Sequence, residues 1–591
     1  MRPVQMVAGF AVVALSLPLL NRAAAADRGA HFEELADAVR AGMHRSSAPG
    51  LAIMVVDDQT TLWSGYYGVT GKGGAPVSRN TVFRVGSVSK PVTAAAVMRY
   101  IERGALKLDD PVERLLPVFK PRSPFAKTGA PITVRALLAH HSGLPGDSFR
   151  GMWDRPPAKV CDAMPVVAGE WLVEAPQTQY RYSNLDFTTL GCLMETASRR
   201  SFVDAIRKDL LAPLGMTAST YGEPAVPRPR LAQPHRGGKP ALWTGLRDVP
   251  AGSLSATAED MGKLLRMLLG RGEINGKNVL KRASVAQMFT RQFDDGGWPY
   301  AAATGLGWML SGQPIAGSEA VWHSGQYPGY FAHIALLPDK RLGVVVLAND
   351  DNAREFVPKL AVKALEIAYR VKTGIPAPKQ TGTPAPPAEV HLDDAAMERC
   401  AGRYAVFDDI IRVRREGGAL KLKFQGQDIE LRSAGEDKFV PRAQFLFGLI
   451  NWKLDGITVR MTSRAGRQFA VVEGITTPLV FEKVQAGGIP DAWRRRLGAW
   501  RVTNPDGWLH IKTVRLALDD GGLVMDVVTS SPLWGVGEGR ILKALRPVGE
   551  NLALTVSTGM GGGAVEAATR YGRETLIYSG YVLERISEDP R

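Results

Sequence analysis

Cysteine is scarce in this chain: three residues, Cys161, Cys192 and Cys400, among 591. So few, so widely spaced, make neither a disulfide framework nor a structural metal site. Cys161 and Cys192 could pair in an oxidising compartment, but two separately buried thiols are expected. Long apolar runs are scarce too. The run Val7 to Leu20 is too short to span a bilayer. It follows Arg2 and leads into Ala23-Ala24-Ala25-Ala26, so residues 1–26 are expected to be a secretory signal peptide and the destination periplasmic or secreted. No cysteine after the run offers a lipid anchor, and no stable membrane span is expected after cleavage. Basic clusters interleaved with aromatics are missing, so the net charge of +15 reads as scattered surface charge and not as a nucleic-acid site.

What is present is ordinary globular material, with 45% hydrophobic and 22% charged residues. The length calls for about two to four domains. Leu51 to Val56 and Thr61 to Tyr66 read as a hairpin around Asp57-Asp58-Gln59-Thr60. Thr133 is placed to cap a helix, Thr257 opens another over Met261 to Leu269, and an amphipathic helix is expected over Phe187 to Ser198. Strands follow at Ile334 to Pro338 and Leu342 to Leu347, then a helix over Val357 to Tyr369. Strands, helices, strands and a helix in that order predict an α/β domain over residues 27–372: an antiparallel sheet flanked by helices, with a helical subdomain. A proline-rich linker over 373–390 separates it from two blocks of short strands, 391–486 and 487–591. Ala401-Gly402-Arg403-Tyr404 matches Leu497-Gly498-Ala499-Trp500 near the block starts, and Val480 to Val484 matches Val582 to Ile586 near their ends. This is a duplicated all-β domain, each copy a small barrel or sandwich.

The chemistry centres on Ser87-Val88-Ser89-Lys90, where a Gly86-Ser87 turn enters a helix that Gly104 stops. Residues three apart share a helix face, so Lys90 lies beside the Ser87 hydroxyl, and the positive helix end favours a developing alkoxide. Tyr182 and Asn184, two apart in an extended or turn segment, can point to one side. Period two puts His323 and Gly325 on one strand face, with glycine allowing a ligand against the backbone. His140 and His141, at a helix end with no acid evident nearby in the sequence, read as buried structural rings.

Ser87-x-x-Lys90, Tyr182-x-Asn184 and His323-x-Gly325, in this order, resemble the serine β-lactamase and penicillin-recognising peptidase superfamily, in the branch with class C β-lactamases, DD-peptidases, D-aminopeptidases and related esterases. Leu106 to Val112, Leu137 to Leu144, Pro250 to Leu254 and Gly305 to Trp308 add to the likeness, which covers roughly residues 30 to 370. Histidine in place of the lysine that opens the third motif of many β-lactamases, and two trailing β-domains, make it most like D-aminopeptidases.

The resemblance implies Ser87 as nucleophile, Lys90 and Tyr182 jointly as its base, and Asn184, His323 and Gly325 as substrate-binding residues. It places the oxyanion hole at the backbone N–H groups of Ser87 and Gln326, and requires no metal or organic cofactor. His323 is expected to supply a donor or a positive charge. The expected substrate is a small peptide, amide or ester, cell-wall peptides included; a β-lactamase, a carboxylesterase or a penicillin-binding sensor that acylates without turnover stays open. A loop from a trailing barrel is expected to reach the cleft, either Gly559 to Gly563 or Pro532 to Gly537.

Overall fold

In the computed structural model the described residues run from 31 to 586, apart from 126–128, 225, 295–303, 311–313, 379–389, 391, 407–408, 425, 446–449, 454–455, 465, 475–478, 486, 534–535 and 560–561. The expected signal peptide, most of the linker and parts of both glycine-rich loops lie outside them.

The hairpin forms as β1 (Gly50–Asp57) and β2 (Thr61–Gly68). Far along the chain, β3 (Val321–Tyr327), β4 (Tyr330–Leu337) and β5 (Leu342–Ala348) complete a five-stranded antiparallel sheet in the order β2-β1-β5-β4-β3. Ile53 opposite Val346 fixes the β1–β5 register. Alternate side chains then serve two cores. On one face Leu51, Ile53 and Val55 meet Phe32, Leu35 and Val39 from the N-terminal helix, and the helix Val357–Thr373 packs there through Leu360 and Ala364. On the other face Ala52, Met54 and Val56 meet the helical subdomain.

Two helices of that subdomain position the site. α1 (Ser89–Glu102) is entered by a single turn of tighter helix at Gly86–Val88. α2 (Asn184–Ser198) begins three residues earlier than the sequence suggests, because the Ser183 hydroxyl accepts from the Asp186 N–H. It is not amphipathic in place: Leu185 to Glu195 are all buried, so it is a central helix. Thr133 and Thr257 cap their helices as expected.

The expectation of two separate thiols for Cys161 and Cys192 is overturned, for they form a disulfide. The Glu195 carboxylate of α2 accepts from the N–H groups of Val160 and Cys161, both at 2.9 Å, and so draws that segment onto the helix. The two Cα atoms end 4.7 Å apart, a distance invisible at a sequence separation of 31.

The two β-blocks are closed eight-stranded barrels. The first closes where Gln427–Ser433 pairs with Lys438–Phe445, with Ile450–Lys453 as a ninth, outlying strand. The second runs from Gly498–Val502 round to Tyr581–Arg585. The duplication reaches single hydrogen bonds: a short helix precedes each first strand, the Tyr404 hydroxyl donates to the Cys400 carbonyl at 2.8 Å, and the Trp500 indole donates to the Arg496 carbonyl at 3.1 Å. No helix among the described residues is long and apolar enough to cross a membrane.

Candidate active site

Gly86 must be glycine. Its φ is +54°, and a Cβ there would stand 2.8 Å from the Gln326 nitrogen of β3. Gly325 serves the same crossing from the other side: a Cβ would meet the Val85 carbonyl and stand 2.8 Å from the Ser87 nitrogen. The absent side chain at Gly325 therefore admits the serine turn, a demand the strand pattern did not show. The crossing packs the Gly86-Ser87 turn directly on the Gly325-Gln326 backbone.

Lys90 is fully buried and donates to Ser87 Oγ at 3.1 Å, to Asn184 Oδ1 at 2.6 Å and to the Ala251 carbonyl at 3.0 Å. Ala251 belongs to the Pro250 to Leu254 segment, which explains why that stretch accompanies the serine motif. Burial lowers the Lys90 ammonium to about 7, against the pull of Asp147, Asp248 and Asp186. The Tyr182 hydroxyl is hydrogen-bonded to Ser87, and its ring lies 4.7 Å from Lys90 Nζ. Burial pushes the Tyr182 phenol up, although a base role would need it lowered. Lysine, not tyrosinate, is the group poised near neutrality.

His323 lies in the same cleft, its ring 6.3 Å from that of Tyr182. Its Nδ1 is 2.6 Å from the Ser324 carbonyl. A carbonyl can only accept, so Nδ1 carries the proton and Nε2 offers a lone pair. Burial, with Lys90 nearby, lowers the ring to about 3. Burial therefore favours a neutral His323 with Nε2 as acceptor over the positive charge expected there.

Two groups escaped the sequence. Asp147 accepts from Asn184 Nδ2 at 2.7 Å and so fixes which end of the Asn184 amide faces Lys90. Its only signal was its place just after the Leu137 to Leu144 motif. His140 is indeed buried at a helix end, but it has an acid partner, Asp186 Oδ2 at 3.1 Å, and its ring packs 4.5 Å from that of Tyr182. Asp186 lies 46 residues away, so no local pattern shows it. Burial favours the neutral forms of both groups.

The loop expectation also resolves. Tyr182 N–H donates to the Gly559 carbonyl at 3.2 Å, so the second barrel reaches the cleft at Gly559. Of the alternative loop, Trp534 and Gly535 lie outside the described residues.

Serine, buried lysine and tyrosine at the crossing of a sheet edge and a helix start define a serine hydrolase of β-lactamase-like fold. Within that class, the chain belongs to the Beta-lactamase family, whose model matches residues 35–369. It is 34% identical over 408 residues to penicillin-binding protein 4 of Amycolatopsis lactamdurans, across 66% of this chain and 98% of the relative. Among solved structures it is similar to SurE, with a TM-score of 0.56 and 25% identity over 78% of this chain and 99% of that one. Its fold also matches the octameric penicillin-binding protein homologue from Pyrococcus abyssi, with a TM-score of 0.51 and 22% identity over 76% of this chain and 99% of the other.

Proposed function

We propose that the protein is an exported serine amidase or peptidase that acts through an acyl-enzyme on Ser87, with peptides or amides containing D-amino acids as substrates. Neutral Lys90 takes the Ser87 proton as Oγ attacks the carbonyl, and the Tyr182 hydroxyl, bonded to Ser87, passes a proton to the leaving nitrogen. The N–H groups of Ser87 and Gln326 receive the developing oxyanion. Asn184, held by Asp147, orients the substrate amide. Water then attacks the ester and frees the enzyme.

The observation that carries the substrate class is the neutral, accepting His323. An accepting nitrogen cannot bind a substrate carboxylate but suits an amine or amide N–H. Near Ser87 the cavity adds the Asp147 carboxyl, and among the described residues that line it the one lysine, Lys543, lies in the second barrel. This favours an amino-terminal D-residue over a carboxylate-bearing β-lactam or D-Ala-D-Ala terminus.

The test is a panel on purified mature protein: D-alanyl amides, D-Ala-D-Ala peptides, a chromogenic cephalosporin and short nitrophenyl esters. Repeated turnover fastest on the D-alanyl amides is expected. Preference for the cephalosporin or carboxy-terminal peptides would overturn the substrate class. Stoichiometric labelling without turnover would indicate a sensor.

A further inference from the structure

The cavity at Ser87 does not end in the cleft. Its volume is about 780 Å³, and it continues past Phe149, Met152 and Trp153 into the interior of the second barrel. There the walls are inward-facing residues of the barrel's own strands, among them Val514, Met525, Val527, Ile541 and Leu583. Strand alternation explains the access: Met525, Val527 and Thr529 on Gly522–Ser531, and Gly539, Ile541 and Lys543 on Val536–Pro547, face the lumen. The far end is filled by Trp493 and Trp500, both fully buried, so the lumen is stoppered there and open toward the serine. The mouth is held in place. Phe149 N–H donates to Ser579 Oγ at 2.8 Å, Gly151 N–H to Asp506 at 3.2 Å, and Arg122 pairs with Glu566 at 2.7 Å.

We infer that the second barrel is a substrate-binding site: its lumen takes an extended apolar chain carried on one flank of the amide or ester whose carbonyl lies at Ser87. Closed barrels of this size either fill with their own side chains or hold one small ligand, and an apolar void open to water is costly unless something apolar fills it. Continuity with the serine makes that occupant part of the substrate and not a separate ligand. Gly539 lies at the mouth and Lys543, its ammonium 6.0 Å from the centre of the Tyr578 ring, farther in. Four strand residues rise about 13 Å, which matches a chain of about ten carbons.

The inference rests on the proposed reading of Ser87 for the reaction, but not for the binding, so the test separates the two. Ser87→Ala protein is titrated with N-undecyl dansylamide, an uncharged chain, and emission is followed. Blue-shifted, enhanced emission is expected, with affinity reduced at least about tenfold when Gly539→Phe or Val527→Trp is added. A Cβ at Gly539 has its nearest neighbour at 3.9 Å, the Thr529 carbonyl, so the phenylalanine variant enters open space; native melting by circular dichroism confirms folding of each variant. In active protein, kcat/KM is compared along nitrophenyl esters from acetate to dodecanoate and along D-alanyl alkylamides. A rise of about tenfold or more toward the long chain in one series, collapsing in Gly539→Phe, is expected. No probe binding, equal binding by the filled variants, or flat chain-length profiles in both series would overturn the lumen site. Loss of turnover in Ser87→Ala would still stand in that event.

Discussion

The two barrels are copies of one fold, yet they face the site with opposite surfaces. The first presents its outside: Phe469, Val471 and Val480 pack on Tyr180 and Tyr182, and Arg467 joins Glu174 of the catalytic domain at 2.6 Å. The second presents its inside, through an open mouth beside the Gly559 carbonyl that takes the Tyr182 N–H. Among the described residues, the first barrel lends the cavity only Leu479. A duplicated scaffold has thus been put to two uses, one bracing the tyrosine and one extending the cavity. The difference lies in docking, not in the barrel fold.

That comparison can be sharpened by mutations whose effects should fall in order. Ser87→Ala sets the scale, with turnover of every substrate falling on the order of 10⁴-fold or more in steady-state assays. Lys90→Ala and Tyr182→Phe should each cost about 10³-fold, and the double variant little more, since both serve one proton path. Additive losses would separate them. Phe469→Ala tests the brace: about 3–5 kcal/mol of stability by denaturant unfolding, with kcat lowered alike for short and long substrates because the Tyr182 support is lost. A change confined to long substrates would assign the first barrel a pocket role and erase the contrast. The smallest effect is that of pH. Only neutral Lys90 can take a proton, so kcat/KM should rise about tenfold per unit below about 7 and level off above it. A profile still rising well above 7 would move the base to another group.

Much of this was legible in the chain. The three-residue spacing of Ser87 and Lys90 is a helical fact, and the strands of both sheet and barrels announce themselves by alternation. The Gly402 and Gly498 segments even betrayed the duplication. What stayed hidden depends on chain crossings. Asp186 reaches His140, Asp147 reaches Asn184, and Glu195 gathers the Cys161 segment only because α2 is central, and its full burial is not written in its sequence pattern. Gly325 was singled out for a ligand, but its close approach to the backbone of Val85 and Ser87 was not visible. The environment of His323 was hidden for a similar reason: its burial, which lowers the ring, is tertiary.

The central claim is that Ser87 is acylated, and intact-protein and peptide mass spectrometry after exposure to a slowly released acylating inhibitor tests it most directly. One adduct per chain is predicted, on the peptide containing Ser87 and absent from Ser87→Ala. An adduct on another residue, or equal labelling of the variant, would contradict it.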